Sequence, residues 1–243
     1  PHHIQEIRAT EAKGDLTRKN LVEFGYCRLD QISAEVQEMT TPATDGPMEI
    51  LIAPSWGEHG LIETMGEKIV GLLLDADFKV TLCPHPKTIQ NEGQIVERIR
   101  QQYEDHPHFV FDDAIASRES LYRADIMASD WSGAALEYAF GLERPVLFVD
   151  TPRKVNNPDY EAIDIEPLEV SIRSALGEII APENISEIGG VAERLRGNYL
   201  DYRDSIRTAR EQYVFNPGRG AEVGGRVLLD FLRDGQAVLN KSS

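Results

Sequence analysis

Residues Arg123 to Asp150 (RADIMASDWSGAALEYAFGLERPVLFVD) constrain the fold more than any other stretch of the chain. They read as a short apolar strand, a sharp polar turn, a short helix of small and apolar residues, and a second apolar strand. Neither strand alternates apolar with polar residues, so each is expected to be buried on both faces, as in a parallel sheet covered by helices. The turn, Ser129-Asp130-Trp131-Ser132-Gly133, supplies hydroxyls and bare backbone N–H groups at a helix N-terminus, where partial positive charge favours an anion.

The same rhythm runs upstream. Met48 to Ala53 (MEILIA) reads as a strand, Leu61 to Ala76 as a helix, and Phe78 to Cys83 (FKVTLC) as a second strand. Glu92 to Tyr103 is an amphipathic helix with Ile95, Val96 and Ile99 on one face. His108 to Phe111 is expected as a strand, Ser117 to Tyr122 as a short helix, Asp125 to Ala128 and Pro145 to Val149 as two more strands. This alternation implies an α/β fold, a doubly wound parallel sheet with right-handed crossovers. Thr17 to Phe24 is a helix-like patch and Thr40 to Pro47 (TTPATDGP) a turn or linker. Past Asp150 comes a loop rich in Pro and Asn (TPRKVNNPDY), then helical segments to the C-terminus. Ligands of such sheets bind at the strand C-termini, near the switch in strand order. That rule selects three loops: Pro54 to Gly60, Pro84 to Thr88, and Ser129 to Gly133.

Charge narrows the choice of ligand. The net charge of −16 argues against a nucleic acid, whose backbone needs clustered Lys and Arg, and against a polybasic membrane patch. An anionic ligand must therefore be held by a few local donors. Cys27 and Cys83 are too few for a disulfide framework, and with no signal peptide or long apolar run the expected compartment is the cytoplasm. The chain opens at Pro1 without a Met and is expected to be a piece of a longer protein.

Each candidate residue has a functional and a plainer reading. Ser129, Asp130, Ser132 and Gly133 are expected diphosphate contacts; equally, Ser and Asp cap helices routinely. Glu137, an acid on an otherwise small and apolar helix, suits ribose hydroxyls, or faces solvent. Two prolines hold His85 at the end of a strand, beside Lys87, where the pair can stabilise phosphate charge or work as acid and base; a surface His in a Pro turn is the alternative. Trp56 and His59 stand in a Gly-flanked substrate loop, though Trp56 also suits the edge of the core. Arg219, in NPGRGAEVGGR (Asn216 to Arg226), is placed to reach an anion, but the spacing there is not that of a dinucleotide loop. The six histidines make no metal set, and no metal or other cofactor is expected.

Taken in order, GYCRLD (Gly25 to Asp30), ILIAPSW (Ile50 to Trp56), PHP (Pro84 to Pro86), ADIMASDWSGAALEYAFGLERPVLF (Ala124 to Phe148) and NPGRGAEVGGRV (Asn216 to Val227) resemble the donor-binding half of CDP-glycerol glycerophosphotransferases, the teichoic-acid-polymerase type. The resemblance implies the Rossmann-like half of a GT-B fold. It implies transfer of glycerol phosphate from CDP-glycerol to a hydroxyl of a wall or capsule polymer, with release of CMP and no metal. Carried onto this sequence, His85 serves the donor diphosphate or the leaving group, Ser129, Ser132 and Gly133 the diphosphate, and Glu137 the ribose. The implied partners are a nucleotide-activated donor, a polymer or lipid-linked acceptor, and a preceding acceptor domain at the inner membrane face. Residues 1–46 would be a linker or a remnant of that domain, and residues 47–243 the donor domain. The family's HG-type catalytic motif has no counterpart here, Trp131 stands where Tyr is common, and Cys27 where Pro is usual. A GT-B sugar transferase, a UDP-sugar epimerase-like enzyme and a non-catalytic nucleotide-binding module are the alternatives.

Overall fold

The computed structural model describes residues 1–38, 46–113, 118–153 and 160–241. Most of the expected linker Thr40 to Pro47 and of the TPRKVNNPDY loop lie outside the described residues, as does Ser117. Two helices come first, α1 (His2–Lys13) and α2 (Cys27–Glu38). The alternating region follows: β1 (Glu49–Ile52), α3 (Leu61–Asp75), β2 (Lys79–Leu82), α4 (Pro86–Asn91), α5 (Gly93–Tyr103), β3 (Phe109–Phe111), α6 (Glu119–Arg123), β4 (Ile126–Ser129), α7 (Gly133–Leu142) and β5 (Val146–Val149). The chain then adds α8 (Leu168–Ser171), α9 (Arg173–Leu176), β6 (Gly177–Ile180), α10 (Ile188–Gly197), α11 (Tyr199–Tyr213) and α12 (Gly220–Lys241).

The six strands form one parallel sheet in the order β3-β2-β1-β4-β5-β6, the doubly wound order in which the direction of winding reverses between β1 and β4. Burial on both faces explains the unbroken apolar runs. In β1, Ile50 and Ile52 join one core with Ile69, Val70 and Leu73 of α3, Ile99 of α5 and Ile188 of α10. Leu51, one residue out of phase, joins the opposite core with Met127, Phe148, Tyr138 of α7 and Ile206 of α11.

At the N-terminal edge of the sheet, the Glu49 carboxylate pairs with Lys79 at 3.0 Å and Arg123 at 2.8 Å. Burial works to raise its pKa, but these two cations outweigh it and hold the carboxyl below its ordinary range.

Two readings of the sequence change. Thr17 to Phe24 forms no helix: the buried carboxylate of Glu11 accepts the Lys19 backbone N–H at 2.7 Å, and Arg8 donates to the Lys19 carbonyl, fixing the segment along α1. A sixth strand, Gly177–Ile180, stands where helices alone were expected; it is a four-residue edge strand with Ile179 exposed, too short and too open to announce itself. Within residues 1–46, α2 packs on α7, and its Leu29 and Ile32 belong to the core.

Candidate functional site

The strand order sets three loops side by side at the C-terminal edge: His85 and Lys87 after β2, Trp56 and His59 after β1, and the SDWSG turn after β4. With strands about 4.8 Å apart, the outer two loops rise from strands roughly 10 Å from one another, a separation a diphosphate and its substituents can span.

The SDWSG turn divides its labour. Ser129 is fully buried and its hydroxyl donates to the Ala53 carbonyl at 2.8 Å. Asp130, 1% exposed, accepts the Ser55 N–H at 2.6 Å and the Leu61 N–H at 3.1 Å. It thereby caps α3, whose own N-cap, Gly60, has no side chain to do so. Both residues were expected to touch diphosphate; both instead bind the β4 turn to the β1 loop across the switch point. Their side chains are sealed, and a buried carboxylate offers an anion no donor. Ser132 is the N-cap of α7, its hydroxyl accepting the Ala134 N–H at 3.3 Å. Gly133 remains the open element: it is exposed, and a Cβ added there would meet nothing within 4 Å. The turn is thus a helix cap at Ser132 with an open helix end at Gly133.

Glu137, one turn into α7, is neither free nor solvent-facing. Tyr26 donates its hydroxyl to one carboxylate oxygen at 2.5 Å and Arg28 its Nε–H to the other at 2.7 Å. Burial and then the Glu137 carboxylate push the Tyr26 phenol up to about 12. Reasoning from the sequence gave Tyr26 and Arg28 no role, although the GYCRLD segment holding them stood out. The signal was its glycine. Gly25 has φ +121°, and a Cβ there would lie 2.7 Å from the Phe215 carbonyl and 2.9 Å from the Gly220 Cα. Asp30 completes the junction by accepting the Gly218 and Gly220 N–H groups at 2.6 and 2.7 Å. The late Gly-rich segment therefore supports the Glu137 clamp. Arg219, expected on an anion, pairs across the start of α12 with Glu222 at 3.2 Å.

On the other flank His85 caps the short α4, its Nδ1 accepting the Lys87 backbone N–H at 3.1 Å. The Lys87 ammonium lies 4.0 Å over the Trp56 ring, and the Trp56 and His85 rings are 6.2 Å apart. Glu63 of α3 accepts from the Thr88 hydroxyl at 3.2 Å, tying these loops together. His59 is exposed on the middle loop. The structure thus joins Trp56, His85 and Lys87 in one cluster, and Glu137, Tyr26 and Arg28 in another, on either side of the α7 end. Burial, then Asp112 and Asp113, push the thiol of Cys83, just before the loop, up to about 11.

A cavity of about 460 Å³ opens beside Gly133 and Glu137, walled by Tyr26, Leu136, Phe140 and Leu168. Its size suits a small-molecule ligand. A second hollow, about 550 Å³, lies between α3 and α5 and holds none of the candidate residues. Among the described residues no group of three or more His, Cys, Asp or Glu could hold a metal ion, and no helix is long and apolar enough to cross a membrane.

The sequence pattern of the CDP-glycerol:poly(glycerophosphate) glycerophosphotransferase family matches residues 7–154, from α1 through β5 and both site clusters. The chain belongs to that family. Among solved structures, this glycerophosphotransferase-family chain is similar to a variant of the wall teichoic acid polymerase TagF soaked with CDPG (18% identity, TM-score 0.52, 88% of this chain and 51% of that one). It is also similar to the UDP-GlcNAc 2-epimerases of Methanocaldococcus jannaschii (14%, 0.52, 91% and 58%) and Neisseria meningitidis (19%, 0.51, 85% and 54%). At these identities the likeness is one of fold, the Rossmann-like half of a GT-B architecture. The chain spans about half the length of each. No curated protein sequence matches it.

Proposed function

We propose that the chain is the donor-binding half of a transferase that moves glycerol phosphate from CDP-glycerol to a hydroxyl of a wall or capsule polymer, releasing CMP. The observation that carries this reading is the open N-terminus of α7 at the switch point, flanked by the anchored Glu137 and the His85–Lys87 loop, in a chain of this family. The donor domain in this reading is residues 47–243 together with α2.

The diphosphate lies across the three loops, its charge met by the Gly133 N–H and the Lys87 ammonium. Because His85 Nδ1 accepts a hydrogen bond, the neutral ring carries its proton on Nε2 and donates it toward the leaving phosphate. A carboxylate has about four acceptor positions, so Glu137, with two filled, keeps room for the ribose hydroxyls. An acceptor hydroxyl, deprotonated by a base outside this chain, attacks the phosphorus bearing glycerol. The new P–O bond forms as the bond to the bridging oxygen breaks, and CMP departs with that oxygen. Protein donors stabilise the charge on the leaving group, with no metal in this scheme. The acceptor domain and any hold on the inner membrane face belong to parts outside this chain.

A UDP-sugar enzyme is the second reading, favoured by the two UDP-GlcNAc 2-epimerases whose fold similarity equals that of TagF. Titration calorimetry separates the two. CDP-glycerol and CMP should bind more tightly than UMP or GMP; a preference for UMP supports the second reading, and no cytidine-nucleotide binding at millimolar concentration defeats the first.

A further inference from the structure

Arg173, the first residue of α9, is 3% exposed, yet only one of its three nitrogens is satisfied. Nη1 donates to Asp150 at 2.7 Å. Nε and Nη2 are buried and have no hydrogen-bond partner among the described residues. These two nitrogens share one edge of the guanidinium, and their parallel N–H bonds form the fork that takes a carboxylate or phosphate through two oxygens. The fork stands beside the donor turn, since the guanidinium lies 4.2 Å over the ring of Trp131, the central residue of SDWSG, and 5.0 Å over Phe148. Trp131 donates its indole N–H to the Thr151 carbonyl at 2.9 Å. Thr151 is itself 2% exposed, and its hydroxyl is a third buried polar group without a partner.

An unsatisfied buried donor costs about 1–3 kcal/mol, and more on a charged group, so an oxyanion that filled the fork would relieve a substantial cost. Asp150 shows that an oxyanion is already accepted at the Nη1 end; half exposed, it is the member of the cluster in contact with solvent. We propose that Arg173 and Thr151 form a second oxyanion seat, distinct from the α7 end, that receives a phosphate of the glycerol phosphate acceptor. The class of ligand rests on the proposed function; the seat itself rests on the unfilled fork. Asp150 stands on Nη1 and not in the fork, so an incoming phosphate fills Nε and Nη2 beside it and meets its like charge. Lying past β4, the seat is on the side of the turn away from His85. That arrangement keeps an acceptor phosphate clear of the leaving CMP.

The test is titration of the chain with sn-glycerol 3-phosphate, alone and with saturating CMP, in wild type, Arg173→Met, Thr151→Val and Asp150→Asn. Glycerol 3-phosphate should bind with CMP already in place. Arg173→Met should weaken it at least about tenfold, in line with loss of a charge-assisted bidentate contact, and leave CMP affinity unchanged. Thr151→Val should weaken it less, and Asp150→Asn should strengthen it by removing the like charge beside the fork. Arg173→Met keeps the bulk of the side chain and removes the orphaned donors, so its melting temperature should not fall by more than loss of the Asp150 pair explains. Competition between CMP and glycerol 3-phosphate for one site, unchanged binding in Arg173→Met, or no binding to wild type would each overturn the seat; in the last case a buried water fills the fork. Glycerol 3-phosphate binding without any CMP binding would instead keep the seat and defeat the cytidine-donor reading.

Discussion

Asp130 offers the sharpest test of how the site is built, because the sequence places it among the ligand contacts and the structure gives it another task. Replacing it with Ala leaves the N–H groups of Ser55 and Leu61 without acceptors, and both residues are buried. An unsatisfied buried donor costs about 1–3 kcal/mol, so with partial relief from water entering the vacated space the loss should be about 3 kcal/mol. For a chain of this size about 1 kcal/mol lowers Tm by roughly 2–4 °C, which gives a fall of roughly 6–12 °C. Asp130→Asn keeps one acceptor oxygen but turns an NH₂ toward the other backbone donor, and should fall between wild type and Ala. Both variants should weaken CMP binding, because the β1 loop they release carries Trp56, against which Lys87 packs. Thermal and urea unfolding followed by circular dichroism give the stability arm, and calorimetric titration with CMP the binding arm. A direct diphosphate contact predicts the opposite pattern: neutralising the carboxylate would leave Tm unchanged and tighten the anion. That result, or an Ala variant within about 0.5 kcal/mol of wild type, the usual range for featureless surface positions, would refute the cap.

The other predictions concern neighbouring parts of the same edge. Ser132→Ala and His85→Ala should each weaken CDP-glycerol binding several-fold with the fold intact, as circular dichroism will report; wild-type affinity in both would leave the turn a helix cap and nothing more. Tyr26→Phe should loosen Glu137 and weaken CMP binding. In a spectrophotometric titration the wild type should show a tyrosine ionising near pH 12 that the variant lacks. The folded pKa lies above the unfolded value of 10.0, so the Tyr26 contribution to stability holds below pH 10 and is lost as pH rises toward 12. Glu49 has the reverse sign: its folded pKa lies below the ordinary 4.5, so its contribution is present above that pH and lost as pH falls through the lowered value. Glu49→Gln should accordingly flatten the acid limb of the stability profile, measured by urea unfolding between about pH 6 and pH 3.

Much of this was legible in the sequence, and what was not has a common cause. The parallel sheet announced itself because β1, β4 and β5 are buried on both faces, which leaves runs such as EILI and VLFV with no alternation. The three ligand loops then followed from the rule of strand C-termini, and His85, Lys87, Ser132 and Gly133 stand where that rule put them. What failed was the direction of side chains within a turn. Ser129 and Asp130 are three and two residues from Ser132, yet their side chains turn inward toward Ala53 and Ser55, which precede them by 76 and 75 residues. Local spacing carries no record of a partner so distant. The Glu137 clamp was hidden for the same reason, since its partners lie 111 and 109 residues upstream.

Those long-range partners also explain why polar residues cluster where the sequence shows glycines. Gly25 and Gly220 bring two backbones too close for any Cβ, and that contact lets Asp30 reach the N–H groups entering α12 while Tyr26 and Arg28 reach Glu137. Gly25→Ala should therefore act at a distance. The side chain strains a backbone at φ +121° and drives the Phe215 carbonyl away, at a cost of about 2 kcal/mol or more. Separation of these segments withdraws Tyr26 from Glu137, so nucleotide affinity should fall in the Gly25→Ala variant, as it should in Tyr26→Phe, and combining the two changes should weaken CMP binding little beyond the stronger single effect. Additive losses would mean that the glycine junction and the Glu137 clamp act separately.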